Sequence, residues 1–270
     1  MEILSRFTAI ILSIFLLPLL IGIGLGNLIM QGRPIIFRQI RIGKDFLPFN
    51  IYKFRTMRFE KKNQNSFHTG KNGQITRWGQ FLRKTKLDEL PQLFNVIKGD
   101  MRFIGPRPEV PEFVDEESFF FLNEIKPGLS GYSSILFRNE SEIWSMIDSE
   151  DPYENILKIK VSLDKYYVKK KSFFEDLKLV GITILSLFIP KKMGHYLIIS
   201  LLNIKDNGEF DIRNSLSNVK LKKFRKYESK ISSSLQNNLL LLFDLITVPL
   251  ALLCAIFIRN DFIISPLFYD

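Results

Sequence analysis

The sequence predicts an α/β fold, mostly helical, that associates with a membrane and includes a small β-hairpin. Three observations support this prediction. Residues 7–30 form an uncharged apolar segment, residues 35–57 are typical of two short strands, and residues 150–189 carry apolar side chains at helical spacing. A second apolar segment at residues 239–258 predicts an additional C-terminal transmembrane helix.

The N-terminal apolar segment is long enough to cross about 30 Å of hydrocarbon as a helix. Pro18 removes an intrahelical hydrogen bond in its middle, and Arg6 and Arg33 place cations on both sides, so charge does not select one orientation. A simple span stays open. A re-entrant helix that enters and leaves on one face fits better, whereas a cleaved signal peptide fits less well because the run is too long and no small-residue cleavage site follows it.

Residues 35–57 predict a β-hairpin whose strands are joined by the three-residue turn Gly43-Lys44-Asp45. Cations are concentrated around this hairpin. Such a cluster would hold anionic headgroups or a phosphate at a bilayer surface, and a merely solvated basic face explains it equally well. The cations between residues 31 and 59 are Arg33, Arg38, Arg41, Lys44, Lys53, Arg55 and Arg58.

Composition limits the class of partner. The 270 residues allow one or two domains, and the formal net charge of +10 favours nucleic acid, anionic lipid or a phosphorylated substrate. The apolar segments favour lipid, and the absence of an aromatic RNA-binding signature or a zinc motif argues against nucleic acid. The only cysteine is Cys254, so an intramolecular disulfide is excluded and a reducing cytosolic setting fits.

The segment 76–109 combines cations, adjacent carboxylates and rigid turns around a short apolar helix. The pattern predicts a helix that starts at Thr85 and stops at Gly99, with an apolar face formed by Leu90, Leu93, Phe94 and Ile97. Its N-terminus would present unpaired N–H groups beside Asp88, Glu89, Arg83, Lys84 and Lys86, an arrangement suited to a phosphate.

The Asp88-Glu89 pair has two interpretations. Acidic residues are common at helix starts because they stabilise the helix dipole, so on this pair alone a structural role is favoured over catalysis. The turn Gly105-Pro106-Arg107-Pro108 is more informative, because two prolines fix the backbone on either side of one arginine and prepare its guanidinium for an anion.

The remaining segments complete the predicted organisation. Residues 60–75 predict a loop that includes His68, residues 109–124 predict a helix, and residues 126–131 predict a glycine-rich turn. Two further helices are expected around 157–167 and 173–189.

The C-terminal part has a different composition. We assign residues 1–202 to one domain, residues 203–237 to a basic polar linker, and residues 238–270 to a transmembrane segment. The lysine-rich linker would place the N-terminal end of that segment in the cytoplasm, and Asp244 inside it is a candidate for a functional carboxylate.

Four strings in this order, GRPIIFRQIRIG, FNIYKFRTM, LRKTKLDELPQLFNVIKGDMRFIGPRP and KPGLSG, resemble the bacterial sugar transferases called small monotopic phosphoglycosyl transferases. The resemblance runs from the N-terminus to about residue 202. It implies transfer of a sugar 1-phosphate from a UDP-sugar to undecaprenyl phosphate at the cytoplasmic face of the bacterial inner membrane, with release of UMP. It also implies a re-entrant N-terminal helix, bent at Pro18, and downstream glycosyltransferases that extend the product.

The resemblance also implies roles for individual residues. Asp88 is expected to be the nucleophile that forms a covalent phosphosugar intermediate, and Mg²⁺ is expected beside Asp88 and Glu89. Glu89 is expected to orient the metal or a proton. The expected phosphate-binding residues are Arg83, Arg107, Lys53 and Arg55.

The chain departs from the family pattern at two places. Leu17 stands before the membrane proline where the family often has serine, so a hydroxyl that could bond the freed carbonyl is missing. The C-terminal apolar segment resembles the first membrane helix of a membrane-bound nucleotide-sugar dehydratase, as in a fused or truncated chain. The alternative to a transferase is a noncatalytic basic module that docks on a membrane, and UMP release distinguishes the two.

Overall fold

The computed structural model describes residues 2–58, 75–138 and 152–188. The chain divides into two compact units, the first ending at Gly131 and the second beginning at Tyr132. The predicted linker and C-terminal transmembrane segment, the dehydratase-like helix with Asp244, and His68 with nearly all of its predicted loop lie outside the described residues. The predicted domain boundaries therefore stay predictions.

The chain begins with two apolar helices, α1 (Glu2–Phe15) and α2 (Leu17–Gln31). They meet at Leu16 and are bent by 63°, with Pro18 in the first turn of α2, where its missing N–H group is tolerated. The bend predicted from Pro18 is confirmed. Among the described helices none is alone long and apolar enough to cross a membrane, whereas this bent pair meets the length and composition test together.

Many apolar side chains of α1 and α2 are exposed. Within the two helices only Ala9, Ile23 and Asn27 are buried. The most exposed apolar side chains include Ile3, Ile14, Phe15, Ile29 and Met30.

The next elements form the predicted hairpin. Strand β1 (Ile36–Ile42) pairs antiparallel with β2 (Pro48–Phe54), and Ile36 lies opposite Phe54. The connection is two residues longer than predicted, because it includes a short 3₁₀ turn at Lys44–Phe46 in which two residues adopt positive φ. The prediction of two strands is confirmed, and the prediction of a three-residue turn is wrong.

The central stretch contains three helical elements where the sequence predicted one. These are α3 (Arg77–Thr85), a 3₁₀ helix (Leu87–Gln92) and α4 (Leu93–Lys98). Thr85 ends α3 instead of capping a new helix, since its hydroxyl donates to the carbonyls of Phe81 and Leu82 at 2.9 and 3.1 Å. The predicted helix start at Thr85 is therefore wrong.

The predicted stop at Gly99 is confirmed. Gly99 ends α4 with φ of 86°, a left-handed conformation that glycine adopts at little cost. The predicted apolar face is only partly correct, because Leu93 is buried with Val96 while Phe94 is 55% exposed.

A short parallel pair, β3 (Arg102–Ile104) and β4 (Gly128–Ser130), follows. The segment predicted as a glycine-rich turn at 126–131 thus contains a strand. Between the two strands, the predicted helix at 109–124 consists of two short 3₁₀ turns, Pro111–Phe113 and Phe120–Asn123.

Two apolar clusters join α1 and α2 to the rest of the first unit. One contains Ala9 of α1, Ile51 of β2, and Val96 and Met101 from the central stretch. The other contains Ile23 of α2, Phe54 of β2 and Leu82 of α3. Strand β2 therefore packs against both helices of the bent pair.

The described part of the second unit contains α5 (Tyr132–Leu136), α6 (Pro152–Lys170) and α7 (Phe173–Phe188). The two predicted helices of this region are confirmed by α6 and α7. A buried hydrogen bond of 2.7 Å from the Ser133 hydroxyl to Asp164 Oδ1 joins α5 to α6. Tyr167 donates a 2.5 Å hydrogen bond to Asp176, which joins α6 to α7.

Candidate active site

Asp88 and Glu89 lie in the first turn of the 3₁₀ helix that follows α3. Lys86, immediately before it, has φ of 60° and ψ of 14°, so the chain turns sharply between the two elements. A non-glycine residue in this left-handed conformation costs about 1–2 kcal/mol. The turn brings the acidic pair beside strand β2.

Glu89 is the centre of a group of cations. Its Oε1 atom lies 3.0 Å from Lys53 Nζ, 3.3 Å from Arg107 Nη2 and 3.9 Å from Lys86 Nζ. Burial alone would raise the pKa of Glu89, but Lys53, Lys86 and Arg107 outweigh burial and hold that pKa well below its usual value. Glu89 is therefore ionised at neutral pH.

Asp88 has a different environment from its neighbour. It is buried, with 7% of its surface exposed, and its Oδ1 atom has no hydrogen-bond partner among the described residues. Burial and the adjacent Glu89 raise the pKa of Asp88, against the opposing effect of Lys53, Lys86 and Arg83. Asp88 lies in a short 3₁₀ turn and not at the N-terminus of an α-helix, and desolvation has the largest effect on its pKa.

Lys53 comes from β2 and reaches the acidic pair from the hairpin side. Its ammonium group donates to Glu89. Burial lowers the pKa of Lys53, and the negative charges of Glu89 and Asp88 oppose that shift. The structure thus brings the predicted residues Lys53, Asp88, Glu89 and Arg107 together.

Arg83 approaches from α3. Its Nε donates a 2.8 Å hydrogen bond to the hydroxyl of Thr56, and burial lowers its pKa while Asp88 and Glu89 oppose the change. Helix α3 lies very close to this strand end, because a Cβ on Gly79 would fall 2.0 Å from the carbonyl oxygen of Thr56. Only glycine permits this approach.

Arg107 is held by the turn that the two prolines predicted. Arg41 of β1 donates to the carbonyl of Pro108 and to the carboxylate of Glu109, both at 3.2 Å. The backbone N–H of Ile42 also donates to the carbonyl of Glu109 at 3.0 Å. The hairpin therefore fixes the turn that presents Arg107 to Glu89.

Arg55 has contacts of another kind. Its Nη2 donates to the carbonyls of Gln31 and Gly32, at the end of α2. The side chain is buried, with 6% exposed. These contacts anchor Arg55 at the end of α2. Its role in binding phosphate stays a prediction.

The donors present are compatible with Mg²⁺ at one position. Mg²⁺ in proteins is often held by one or two carboxylates together with substrate phosphates. The unpartnered Oδ1 of Asp88 satisfies that requirement, whereas Oε1 of Glu89 is already in contact with three cations. No group of three metal-ligating side chains occurs among the residues that the structure describes. Mg²⁺ usually keeps several waters in addition to its one or two carboxylates.

Sequence reasoning missed several residues that support the site. Thr56 orients Arg83, Asn27 and Trp78 connect α2 to α3, and Glu109 holds Arg41. Their side chains make long-range hydrogen bonds that no local spacing indicates. The one signal available in the sequence was Gly79, because a glycine within a helix can mark a close approach of two backbones.

Comparison with known proteins gives a consistent result. A sequence profile of the family described as bacterial sugar transferase matches residues 2–190. The uncharacterized sugar transferase EpsL of Bacillus subtilis (strain 168) is 35% identical over 162 residues, which cover 59% of this chain and 73% of that protein.

Two relatives carry more specific names. The UDP-N-acetylgalactosamine-undecaprenyl-phosphate N-acetylgalactosaminephosphotransferase of Aeromonas hydrophila is 37% identical over 158 residues, 56% of this chain and 34% of that protein. The UDP-glucose:undecaprenyl-phosphate glucose-1-phosphate transferase of Klebsiella pneumoniae is 32% identical over 188 residues, 67% of this chain and 38% of that protein. The chain thus spans well under half the length of these two relatives.

Proposed function

The chain belongs to the bacterial sugar transferase family, and from this premise we propose that it transfers a sugar 1-phosphate from a UDP-sugar to undecaprenyl phosphate. The family membership predicted from the sequence is confirmed, and the chain is accordingly a transferase enzyme. The observation that carries the proposal is the buried Oδ1 of Asp88, which has no hydrogen-bond partner in the described part of the chain and lies in a group of cations.

In the proposed first step, a carboxylate oxygen of Asp88 attacks the phosphorus that bears the sugar. A bond forms between that oxygen and phosphorus, the bond to the bridging oxygen of the diphosphate breaks, and UMP leaves with the electron pair. An ionised carboxylate needs no general base for this attack. Desolvation of Oδ1 removes the water that would otherwise have to be displaced from the nucleophile.

In the proposed second step, an oxygen of undecaprenyl phosphate attacks the same phosphorus. The bond between phosphorus and Asp88 breaks, the carboxylate is regenerated, and the product is a sugar linked to the lipid through a diphosphate. Both steps use one phosphate position. Direct attack by the lipid phosphate on the UDP-sugar is the alternative mechanism, and it would leave no covalent intermediate.

The surrounding cations suit the charge of these reactants. A carboxylate that approaches a diphosphate is repelled, and fixed positive groups lower that repulsion most effectively where water is excluded. We assign this role to Arg83, Lys53 and Arg107, with Lys86 as a further cation. We propose that Asp88 would hold Mg²⁺, which when bound would offset the charge of the diphosphate.

The arrangement of the first two helices supports a re-entrant membrane segment. Glu2 at the start of α1 forms a 2.8 Å ion pair with Lys126, and Asn27 near the end of α2 donates to the carbonyl of Arg55 at 3.1 Å. Both ends of the bent pair thus contact the same unit. We propose that its exposed apolar side chains enter one leaflet from the cytoplasmic face, where both substrates would be reached.

UMP release tests the proposed function. The purified chain is incubated with undecaprenyl phosphate, Mg²⁺ and each member of a UDP-sugar panel, and UMP is measured by coupled assay. We expect UMP with one or a few donors, and with Asp88→Asn as the control we expect none. Absence of UMP with every donor would favour the noncatalytic membrane-docking module.

A further inference from the structure

Three cationic side chains converge on one oxygen atom of Glu89. Lys53 comes from β2, Lys86 from the left-handed turn after α3, and Arg107 from the turn between two prolines. Lys86 is only three residues from Glu89 and approaches Oε1 through local chain geometry, at 3.9 Å. Lys53 and Arg107 are distant in sequence, so the fold must bring them to the same atom. The three cations thus form a small cationic site, and the carboxylate of Glu89 lies within it.

The chemistry of this site suits a phosphate oxygen as well as a carboxylate oxygen. Lysine ammonium and arginine guanidinium groups bind both anions by charge-assisted hydrogen bonds of similar length. A substrate diphosphate brings several such oxygens to the same region, since Asp88 is the residue next to Glu89. The carboxylate and the incoming phosphate would therefore use the same donors.

We infer that Glu89 acts as an internal anion that holds the three cations in place and competes with the substrate's phosphates for them. This inference rests on the proposed function. In the ligand-free protein the negative charge of Glu89 offsets the mutual repulsion of Lys53, Lys86 and Arg107. When a diphosphate enters, the cations shift from Glu89 to phosphate oxygens, and when UMP leaves they return.

A consequence is that Glu89 weakens the binding of anions while it preorganises the groups that bind them. Its negative charge repels the phosphates and assists the departure of UMP. Glu89 is in this view a positioning residue. A metal-ligand role makes the opposite prediction when Mg²⁺ is present, because removing a ligand would weaken the binding of a nucleotide that depends on the metal. The titrations are therefore made in EDTA, where only the charge of Glu89 acts, and repeated with Mg²⁺, where weaker binding by Glu89→Gln would favour the metal-ligand role.

The test measures binding of inorganic pyrophosphate and of UMP by isothermal titration calorimetry in EDTA. We expect Glu89→Gln to bind both about tenfold more tightly than the unmodified protein, since a repulsion of about 1.4 kcal/mol corresponds to that factor. Arg107 keeps its charge at neutral pH without Glu89. In Glu89→Gln, Lys53 loses the negative charge of Glu89, and the phosphate that binds would replace that charge.

Glu116→Gln is the matched control, because Glu116 is an exposed residue in the same unit and its substitution makes the same change of net charge. It should leave both affinities unchanged. Equal or weaker binding by Glu89→Gln would overturn the inference. If Glu89→Gln fails to fold, Glu89→Asp withdraws the carboxylate by one methylene and should tighten pyrophosphate binding by a smaller factor, and unchanged or weaker binding would count against us.

Steady-state kinetics give a second readout. Competition by Glu89 predicts a lower KM for the UDP-sugar together with a lower kcat in Glu89→Gln, whereas a merely structural loss would raise KM. Failure of the proposed function is distinguishable, because it would appear as no UMP formation by the unmodified protein, while tighter pyrophosphate binding by Glu89→Gln would still support the internal anion.

Discussion

The indole Nε1 of Trp78 donates a 2.7 Å hydrogen bond to Oδ1 of Asn27, a side chain with no exposed surface. The same amide donates to the carbonyls of Ile35 and Arg55, each at 3.1 Å, and accepts from Gln31 at 2.9 Å. One asparagine thus joins α2 to the hairpin and to α3. Arg55, whose carbonyl Asn27 contacts, directly precedes Thr56, the residue that orients Arg83.

Replacing Asn27 by leucine should destabilise the first unit. The substitution leaves the Trp78 N–H without its partner, at a cost of about 1–3 kcal/mol. The carbonyls of Ile35 and Arg55 each lose one of two hydrogen bonds and keep the other, from the backbone N–H of Arg55 and from the Gln31 amide. We expect a clear fall in Tm by thermal unfolding in detergent, and a loss of activity in proportion. Leu25→Ala is the control, since Leu25 is exposed on the same helix and should change Tm little. An unchanged Tm for Asn27→Leu would contradict the assigned role.

Gly99→Ala should be destabilising because its φ of 86° is unfavourable for alanine. A Cβ would also fall 2.0 Å from a guanidinium nitrogen of Arg6, but the end of that flexible side chain can move aside at little cost. We expect a loss of about 1–2 kcal/mol in unfolding free energy, measured by urea titration in detergent. Gly22→Ala is the matched control, because a Cβ there meets nothing within 4 Å and alanine favours a helix interior. Equal effects of the two substitutions would refute this explanation.

The sequence predicted the elements that depend on local chemistry. Pro18 placed the bend, Gly99 placed the end of a helix, and the strand-type residues of 35–57 placed the two strands. The helix start at Thr85 was wrong because the left-handed conformation of Lys86, unusual for a non-glycine residue, has no local sequence signal.

The sequence allowed us to predict which residues form the site, but not which contacts they make with one another. Family resemblance indicated Lys53, Asp88, Glu89 and Arg107, which the structure brings together, and Arg55, whose contacts point to anchoring. Glu89 is paired with cations and Oδ1 of Asp88 is not, and this difference depends on Lys53 and Arg107, which are distant in the chain. Periodicity and spacing contain no information on such pairings.

The topology of the N-terminal helix pair is testable by cysteine labelling in a Cys254→Ser background. With Ile3→Cys and Lys44→Cys, we expect both thiols to react from the cytoplasmic side if the segment is re-entrant. Pro18→Ala restores a backbone hydrogen-bond donor at the bend and should shift part of the population toward a spanning helix. Periplasmic labelling of Ile3→Cys alone in the otherwise unmodified protein would rule out the re-entrant arrangement.

The raised pKa of Asp88 gives a pH prediction, tested without metal in EDTA. The folded state favours the protonated carboxyl, so the stability that this group contributes is present below its unfolded pKa and lost as pH rises through its folded pKa. Asp88→Asn lacks this loss. We therefore expect Asp88→Asn to be more stable than the unmodified protein at neutral pH, and the difference to shrink in acid. A constant difference across pH would mean that the pKa of Asp88 is not raised.

Covalent catalysis by Asp88 makes the sharpest prediction. Incubation with the UDP-sugar that supports turnover, with Mg²⁺ and without lipid acceptor, should add the mass of one sugar phosphate to the peptide that contains Asp88. Asp88→Asn keeps the shape of the side chain but removes its charge, so turnover should fall by at least about a thousandfold, as expected when a nucleophile is lost. Binding of the UDP-sugar should largely survive, because Lys53 and Arg107 are held by hydrogen bonds to Glu89, which this substitution leaves in place. Glu89→Gln should still form the adduct, more slowly. An adduct on another residue, or near-normal turnover by Asp88→Asn, would show that the lipid phosphate attacks the donor directly.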